Sequence, residues 1–363
     1  MSPGRVSIRE VATLAGVSLG TVSNVLNRPE LVAPPTRERV ESAIATLGFV
    51  RNESARQLRT ARSRTVGLVV LDIANPFFTD LARGGEDAAN EAGIAVILCN
   101  SDGDRAKERH YLTLLAEQRA LGVLLVPVEG APRRPQALRQ QGIPVVAVDA
   151  QISQTLGCSV SVDDERGGEV AVEHLIERGH RRIAFVGGDN REHQVADRLR
   201  GAQKAVTATG GAVGLEVVGT SSLSVAGGRQ AGRALLALPP RSRPSAAFCA
   251  NDLLALGLLQ ELTRAGTRVP TDMAVVGYDD IDLAEAGAVP LSSVRQPRYQ
   301  LGYQATQLLL EETTDERHRH RKVVFEPELV ERESSRTRTP PRRRAKLAVP
   351  LPHQPALASA GGG

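Results

Sequence analysis

The sequence predicts two architectures in one chain: an all-α head over residues 1–62 and, from 63 to about 335, an α/β core built on parallel strands. Three observations carry this. Two short amphipathic helices meet through a glycine near residue 16, arginine is concentrated at the same end, and beyond residue 63 short β-branched runs alternate with amphipathic stretches. Such alternation is the signature of strands joined by crossover helices.

The head begins at Ser7-Ile8-Arg9-Glu10, where a hydroxyl and a carboxylate three residues apart can satisfy each other's free amides and start a helix. Val11, Leu14 and Ala15 give that helix an apolar face, Gly16 ends it, and Ser18 caps a second helix with Val22, Val25 and Leu26 at helical spacing. Faces of this size need a third partner, and residues 35 to 47 supply Val40, Ile44 and Leu47 between Pro34-Pro35 and Gly48. The pattern is a helix-turn-helix. Spacing alone leaves open a small three-helix subdomain with no nucleic-acid role, and charge decides against it. Residues 1–62 hold nine arginines against five glutamates without a lysine, and the 336–363 tail is six charges positive, so within a total of +4 the residues between carry −6. A basic head on an acidic body is an electrostatic footprint for phosphate. The tail, with Pro340-Pro341-Arg342-Arg343-Arg344 and few apolar residues, reads as a disordered basic extension.

In the core, strands are expected at Val66–Leu71, Ile94–Cys99, Val123–Val126, Val145–Val148, Ile183–Val186, Glu216–Val218, Ala246–Cys249 and Ala274–Gly277. Ligands of open parallel sheets collect at the carboxyl ends of strands. Asp149, Asn251, Asp252 and Asp279 follow such ends, and Arg198 lies on the helix after Val186. Carboxylates, an amide and a guanidinium can bracket vicinal hydroxyls or a purine edge. Quieter alternatives stand beside this: Asp252 as a helix cap, Asp149 and Asp279 as acceptors for turn amides.

The head resembles that of the LacI/GalR family of bacterial transcription repressors through Ala15-Gly16-Val17-Ser18, Thr21-Val22-Ser23, Val25-Leu26-Asn27, Leu47-Gly48-Phe49, Asn52, Ala55-Arg56 and Leu58, and the resemblance continues to about residue 335. It implies a second helix in the DNA major groove, with Leu19, Gly20 and Asn24 at base-reading positions and Ser18, Thr21 and Ser23 on phosphates. Asn24 is the plausible bidentate reader, with adenine its natural partner. It also implies a hinge helix over about 52–59, including Asn52, Ala55, Arg56 and Leu58, that folds on DNA and pushes Leu58 into the minor groove. The core is then of the periplasmic-binding-protein type: two doubly wound parallel-sheet lobes, one at about 63–160 plus 292–330, the other at about 161–291. The family's effector cleft falls on Arg198, Asn251 and Asp279, joined by Asp149 and by Phe77 and Phe78 of Asn75-Pro76-Phe77-Phe78, with Phe248 beside them. The implied protein is a homodimer on a pseudo-palindromic operator, its DNA affinity shifted by a small sugar, nucleoside or related metabolite.

Two departures from the family pattern matter. Ala33 stands where a serine commonly caps the third helix. Ser221-Ser222-Leu223-Ser224 stands where sugar-binding members stack an aromatic ring, and the chain has no tryptophan, so a hexose lacks its platform. The tail has no leucine heptad, which argues for a dimer and against a tetramer.

Other function classes fare poorly. The chain shows no dinucleotide fingerprint, P-loop or nucleophile elbow, its seven histidines show no metal-ligand spacing, and neither catalytic residues, a cofactor nor a metal is expected. A secreted solute receptor of periplasmic-binding type would carry an apolar export segment, which is not seen. Cys99, Cys158 and Cys249 read as buried reduced thiols of a cytoplasmic protein without membrane partners.

Overall fold

A computed structural model describes residues 6–49, 63–128, 134–187, 192–315 and 317–336. The expected hinge, with Asn52, Ala55, Arg56 and Leu58, lies outside the described residues, as does the tail from 337 onward. The chain divides into two compact units: residues up to Arg64 with Gln118–Leu121, and Thr65–Glu117 with Gly122 onward.

In the head, α1 (Ile8–Ala15) starts on the expected capping box: Glu10 N–H donates to Ser7 Oγ and Ser7 N–H to Glu10 Oε2 at 2.6 Å. Gly16, at φ +63°, takes the left-handed turn that lets Ser18 cap α2 (Leu19–Asn27) through Thr21 N–H at 3.1 Å. Helix α3 (Pro34–Leu47) forms without a side-chain cap at Ala33, since proline at its start removes one of the amides a cap would serve. Val11, Ala12, Ala15, Val22, Val25, Val40 and Ala43 close the small core. Leu14 is a correction to the expected apolar face: it is 54% exposed, because Val11, Ala12 and Ala15 occupy one arc of α1 and leave position 14 on its flank.

The core holds two six-stranded sheets. The first is built from β1 (Thr65–Val70), β2 (Ala95–Asn100), β3 (Gly122–Leu125), β4 (Val145–Val148), β5 (Ser159–Val162) and β11 (Lys322–Phe325) in the order β11-β5-β4-β3-β1-β2, all parallel. Leu68 lies between Leu98 and Leu124 in this register. The second contains β6 (Arg182–Gly187), β7 (Gly214–Gly219), β8 (Ala246–Cys249), β9 (Ala274–Asp279), β10 (Ser292–Arg295) and β12 (Glu328–Val330) in the order β12-β10-β9-β8-β6-β7, with β12 alone antiparallel. In each sheet the first strand sits between its two successors. That reversal of winding direction opens a crevice at the strand carboxyl ends.

Helices α4 (Pro76–Glu91), α5 (Arg105–Glu117), α6 (Arg134–Gln140) and α12 (Arg298–Thr314) pack on the first sheet; α7 (Asp164–Glu177), α8 (His193–Thr207), α9 (Val225–Ala237), α10 (Asp252–Arg264) and α11 (Asp282–Ala286) belong to the second lobe. The chain therefore crosses between lobes three times: after β5, after β10, and between β11 and β12. This corrects the expected boundaries. Residues 292–295 pair with β9 and 328–330 with β10, so both belong to the second lobe, and β5 extends the first to 162.

Helices α7 and α8 touch backbone to backbone. A Cβ on Gly168 would lie 2.0 Å from Arg198 O, and one on Gly201 would lie 1.8 Å from Glu165 O. Only glycine permits that approach. It carries Arg198 onto Asp164 at the start of α7, and so positions the charged centre described next.

Candidate functional site

The outer face of α2 offers what a DNA-reading helix needs. Leu19 is 45% exposed, Gly20 and Asn24 are exposed one turn apart, and Thr21 and Ser23 are half-buried beside them. Ser18 is engaged locally: its Oγ accepts from Thr21 N–H and lies 2.9 Å from Thr21 Oγ1. Ser23 is approached by Asn27, whose Nδ2 donates to Ser23 O at 2.7 Å. Arg9, Arg28 and Arg39 are exposed on the same small unit.

In the core, a cleft of about 740 Å3 opens at the carboxyl ends of the strands and is lined from both lobes. That is a usual size for a small-molecule site (roughly 300–1,000 Å3). Six of the seven residues expected there line it: Phe77, Phe78, Asp149, Arg198, Asn251 and Asp279. Phe248 does not. It is fully buried inside the second lobe, its ring 5.5 Å from Phe185 and 6.4 Å from Tyr278 on the flanking strands, within β8 instead of beyond its end.

Arg198 is the centre of the site. Its Nε donates to Asp164 Oδ1 at 2.8 Å and its Nη1 to Ala250 O at 2.7 Å; Asp279 Oδ1 lies 4.0 Å away, and the guanidinium sits 3.7 Å over the Tyr278 ring. Burial works against its charge, but the surrounding acids outweigh that and hold it protonated. Asp149, at the end of β4, accepts from Gln194 Nε2 at 2.8 Å on Oδ2, whereas its buried Oδ1 has no partner among the described residues. Burial, followed by repulsion from Asp164, pushes its carboxyl well above the usual range. Asp279, which accepts from Gln296 Nε2 at 2.7 Å, is pushed up to about 6 by burial, with Arg198 opposing. Both aspartates have backbones in the left-handed region (φ +54° and +107°), where strain tends to concentrate at binding sites.

Asn251, not Asp252, caps α10: its Oδ1 accepts from Leu254 N–H at 2.9 Å while its Nδ2 donates to Leu223 O at 3.0 Å. The expected cap, Asp252, is fully buried one position further on and instead accepts from Ile281 N–H and Ser293 Oγ. Several partners had no sequence signal of their own. Asp164, Gln194 and Gln296 follow a strand, a loop and a crossover, and become functional only through the fold; Tyr278 and Asn75 are immediate neighbours of residues already singled out. Where a sugar-stacking aromatic was missing from the sequence, Ser221, Ser222, Leu223 and Ser224 line the cleft.

A larger cavity, about 940 Å3, lies on the crossover side. Its charges are matched to each other: Arg295 and Arg332 bind Asp280 at 2.8 and 2.6 Å, and Arg298 binds Asp80 at 2.9 Å. The cleft differs in holding a buried carboxylate oxygen, Asp149 Oδ1, with no partner among the described residues.

Residues 7–52 match the profile of bacterial regulatory proteins of the lacI family, and residues 172–335 that of a periplasmic binding protein-like domain. An HTH-type transcriptional repressor PurR from Photobacterium profundum is 35% identical over 90% of this chain and 98% of its own length; one from Vibrio atlanticus is 34% identical over 91% and 99%. Among solved structures, a complex of the transcriptional regulator CelR with cellobiose is 34% identical, with a TM-score of 0.67 over 91% of this chain and 100% of that one. A lac repressor dimer bound to operator and the anti-inducer ONPF is 28% identical, with a TM-score of 0.78 over 92% and 99%. The helix-turn-helix head and the two-lobed core together place this chain in the lacI family of bacterial regulatory proteins: it is a DNA-binding transcriptional regulator under small-molecule control, not an enzyme.

Proposed function

We propose that the protein represses transcription as a homodimer on a pseudo-palindromic operator in the cytoplasm, with head and hinge over residues 1–62, and that an effector in the core cleft sets its affinity for that site. Leu19, Gly20 and Asn24 read bases, Ser18, Thr21 and Ser23 bind phosphates, and Asn52, Ala55, Arg56 and Leu58 form the hinge contact. The observation that carries the effector half is the buried Arg198 among Asp149, Asp164 and Asp279, one of whose oxygens awaits a donor. Two sheet edges support the dimer: β2 leaves Ile97 and Leu98 exposed and β7 leaves Val217 exposed, apolar surface that a second copy would cover.

The lining also narrows the ligand. Asp72, Asp102, Asp104, Asp149, Glu192 and Asp279 face Arg105 and Arg198. An acidic cleft repels a phosphorylated metabolite and suits a neutral, donor-rich molecule such as a small sugar or a nucleoside. Among the described residues no helix is long and apolar enough to cross a membrane. A gel-shift with the DNA flanking the protein's own gene tests the reading: a pseudo-palindromic fragment should be retarded, and a neutral sugar or nucleoside should weaken or strengthen that shift. Failure of the folded dimer to retard any such fragment at low salt would favour a solute receptor without a DNA role.

A further inference from the structure

His318 and His320 lie between α12 and β11, in a stretch whose sequence shows only histidine interleaved with arginine. The first lobe folds this connection over the start of β5. There the fully buried Cys158 has its Sγ 3.2 Å from His318 Nε2, across 160 residues of chain. Glu312, from the last turn of α12, brings a carboxylate, and the three ligand atoms all lie within 4.8 Å of one another. A tetrahedral zinc ion, with bonds of about 2.0–2.3 Å, holds neighbouring ligand atoms roughly 3–4 Å apart. Small side-chain adjustments therefore close the site.

The outer contacts suit the same purpose. His318 points its Nε2 at the sulfur, with Nδ1 on the side of Glu311, 4.0 Å from Oε2. Arg321 N–H donates to Cys158 Sγ at 3.2 Å, a contact that stabilises negative charge on sulfur. His320 Nδ1 donates to Gln154 O at 2.8 Å, leaving Nε2 to accept from Arg139 Nη1 at 3.1 Å. Arg139 and Arg321 bring positive charge near the site; Arg321 pairs with Glu311, so Arg139 is the cation that competes for a ligand. It bonds Glu312 and His320 but is anchored on Val145 O as well, and its Nη2 already reaches Glu312 Oε2 at 3.5 Å, so it can remain on that oxygen while a metal takes the other.

We propose that Cys158, Glu312 and His318 bind a thiophilic divalent d-block ion, Zn2+ by their chemistry, with water in the fourth position. Thiolate, imidazole and carboxylate together select zinc-like ions over magnesium or calcium. Binding exchanges the thiol proton for the metal: the S–H bond breaks, the sulfur keeps the electron pair and binds the ion, and the proton leaves to solvent. The ion ties the end of α12 to the start of β5 and to the approach to β11. None of the three residues lines the effector cleft, so the site is separate from that reading.

The test uses the full-length protein, reduced and stripped with a chelator, titrated with Co2+. One equivalent should produce a thiolate-to-cobalt charge-transfer band in the near ultraviolet and the intense visible bands of tetrahedral cobalt, both displaced by Zn2+. Cys158→Ser should abolish the charge-transfer band, Cys99→Ser should keep it, and His318→Gln should weaken cobalt binding by at least about tenfold. The wild-type titration decides even if a variant misfolds. Absence of both bands with thiols reduced, or their persistence in Cys158→Ser, overturns the proposal.

Discussion

The surface of the head and the cleft of the core hold their polar groups in opposite ways. On α2 the bonds are local: Ser18 with Thr21 three residues on, Asn27 with Ser23 four residues back, all exposed. At the buried centre of the cleft the charged groups are held from afar: Arg198 reaches Asp164 across 34 residues and Ala250 across 52, Asp149 meets Gln194 across 45, and Asp279 meets Gln296 across 17. The difference teaches where function conflicts with stability. A helix that meets a rigid external polymer can present its side chains to water with little folding consequence. A cleft that holds a small molecule must bury charge, and its residues are stable only as a set.

Arg198→Ala should break this contrast most severely. Removing this buried cation leaves Asp164, Asp149 and Asp279 buried without it, so denaturant unfolding should show the core weakened by about 3–5 kcal/mol and gel-shifts should lose effector response. A variant of native stability would show that the carboxylates do not depend on Arg198.

Asp279→Asn should do the reverse. The native carboxyl, raised to about 6 from an ordinary 3.8, contributes stability below the lower value that is lost as pH rises through the upper one. The Asn variant lacks that loss, so it should be more stable than the wild type above pH 6, by up to roughly 3 kcal/mol for a shift of about two pKa units, with the gap closing toward pH 4. A gap that does not change with pH would remove burial of charge as its cause.

Smaller effects are expected on the head, and in binding instead of folding. Asn24→Ala should cost about 1–3 kcal/mol of discrimination for the preferred operator while the melting temperature stays put. Equal losses on operator and random DNA would make Asn24 a backbone contact. Gly20→Ala is the mildest for folding: the added Cβ meets only Ser18 Oγ at 3.6 Å, and alanine favours the helix by about 0.5–1 kcal/mol, so the head should melt slightly higher. Operator affinity should nevertheless fall if the backbone of α2 lies close to the bases.

The same contrast explains what the sequence could reveal. The head was legible because its caps and turn lie within a few residues of each other: Ser7 with Glu10, Gly16 at its positive φ, Ser18 with Thr21. Of the twelve strands among the described residues, eight were expected, since they are apolar runs; β11 and β12 were not, and β5 and β10 escaped because Ser159, Ser161, Ser292 and Ser293 read as loop, although all four are buried. Phe248, expected beside the cleft residues, is instead packed against Phe185 within the second lobe, a contact between β8 and β6 that no local spacing reveals. Asp164 and Gln194 could not be found by spacing at all. The contact between Cys158 and His318 is the extreme case, since nothing within either segment announces the other.

The three strand-to-strand passages between lobes have a consequence for inheritance. Neither lobe is a continuous stretch of the gene, because each sheet borrows strands from beyond the other. A single recombination joint inside the core would sever at least one sheet, and both if it fell between β6 and β11, whereas one near residue 64 exchanges an intact reader for another. Such chains can therefore trade DNA targets by simple splicing, while new ligand preferences must arise by point substitution within an undivided sensor.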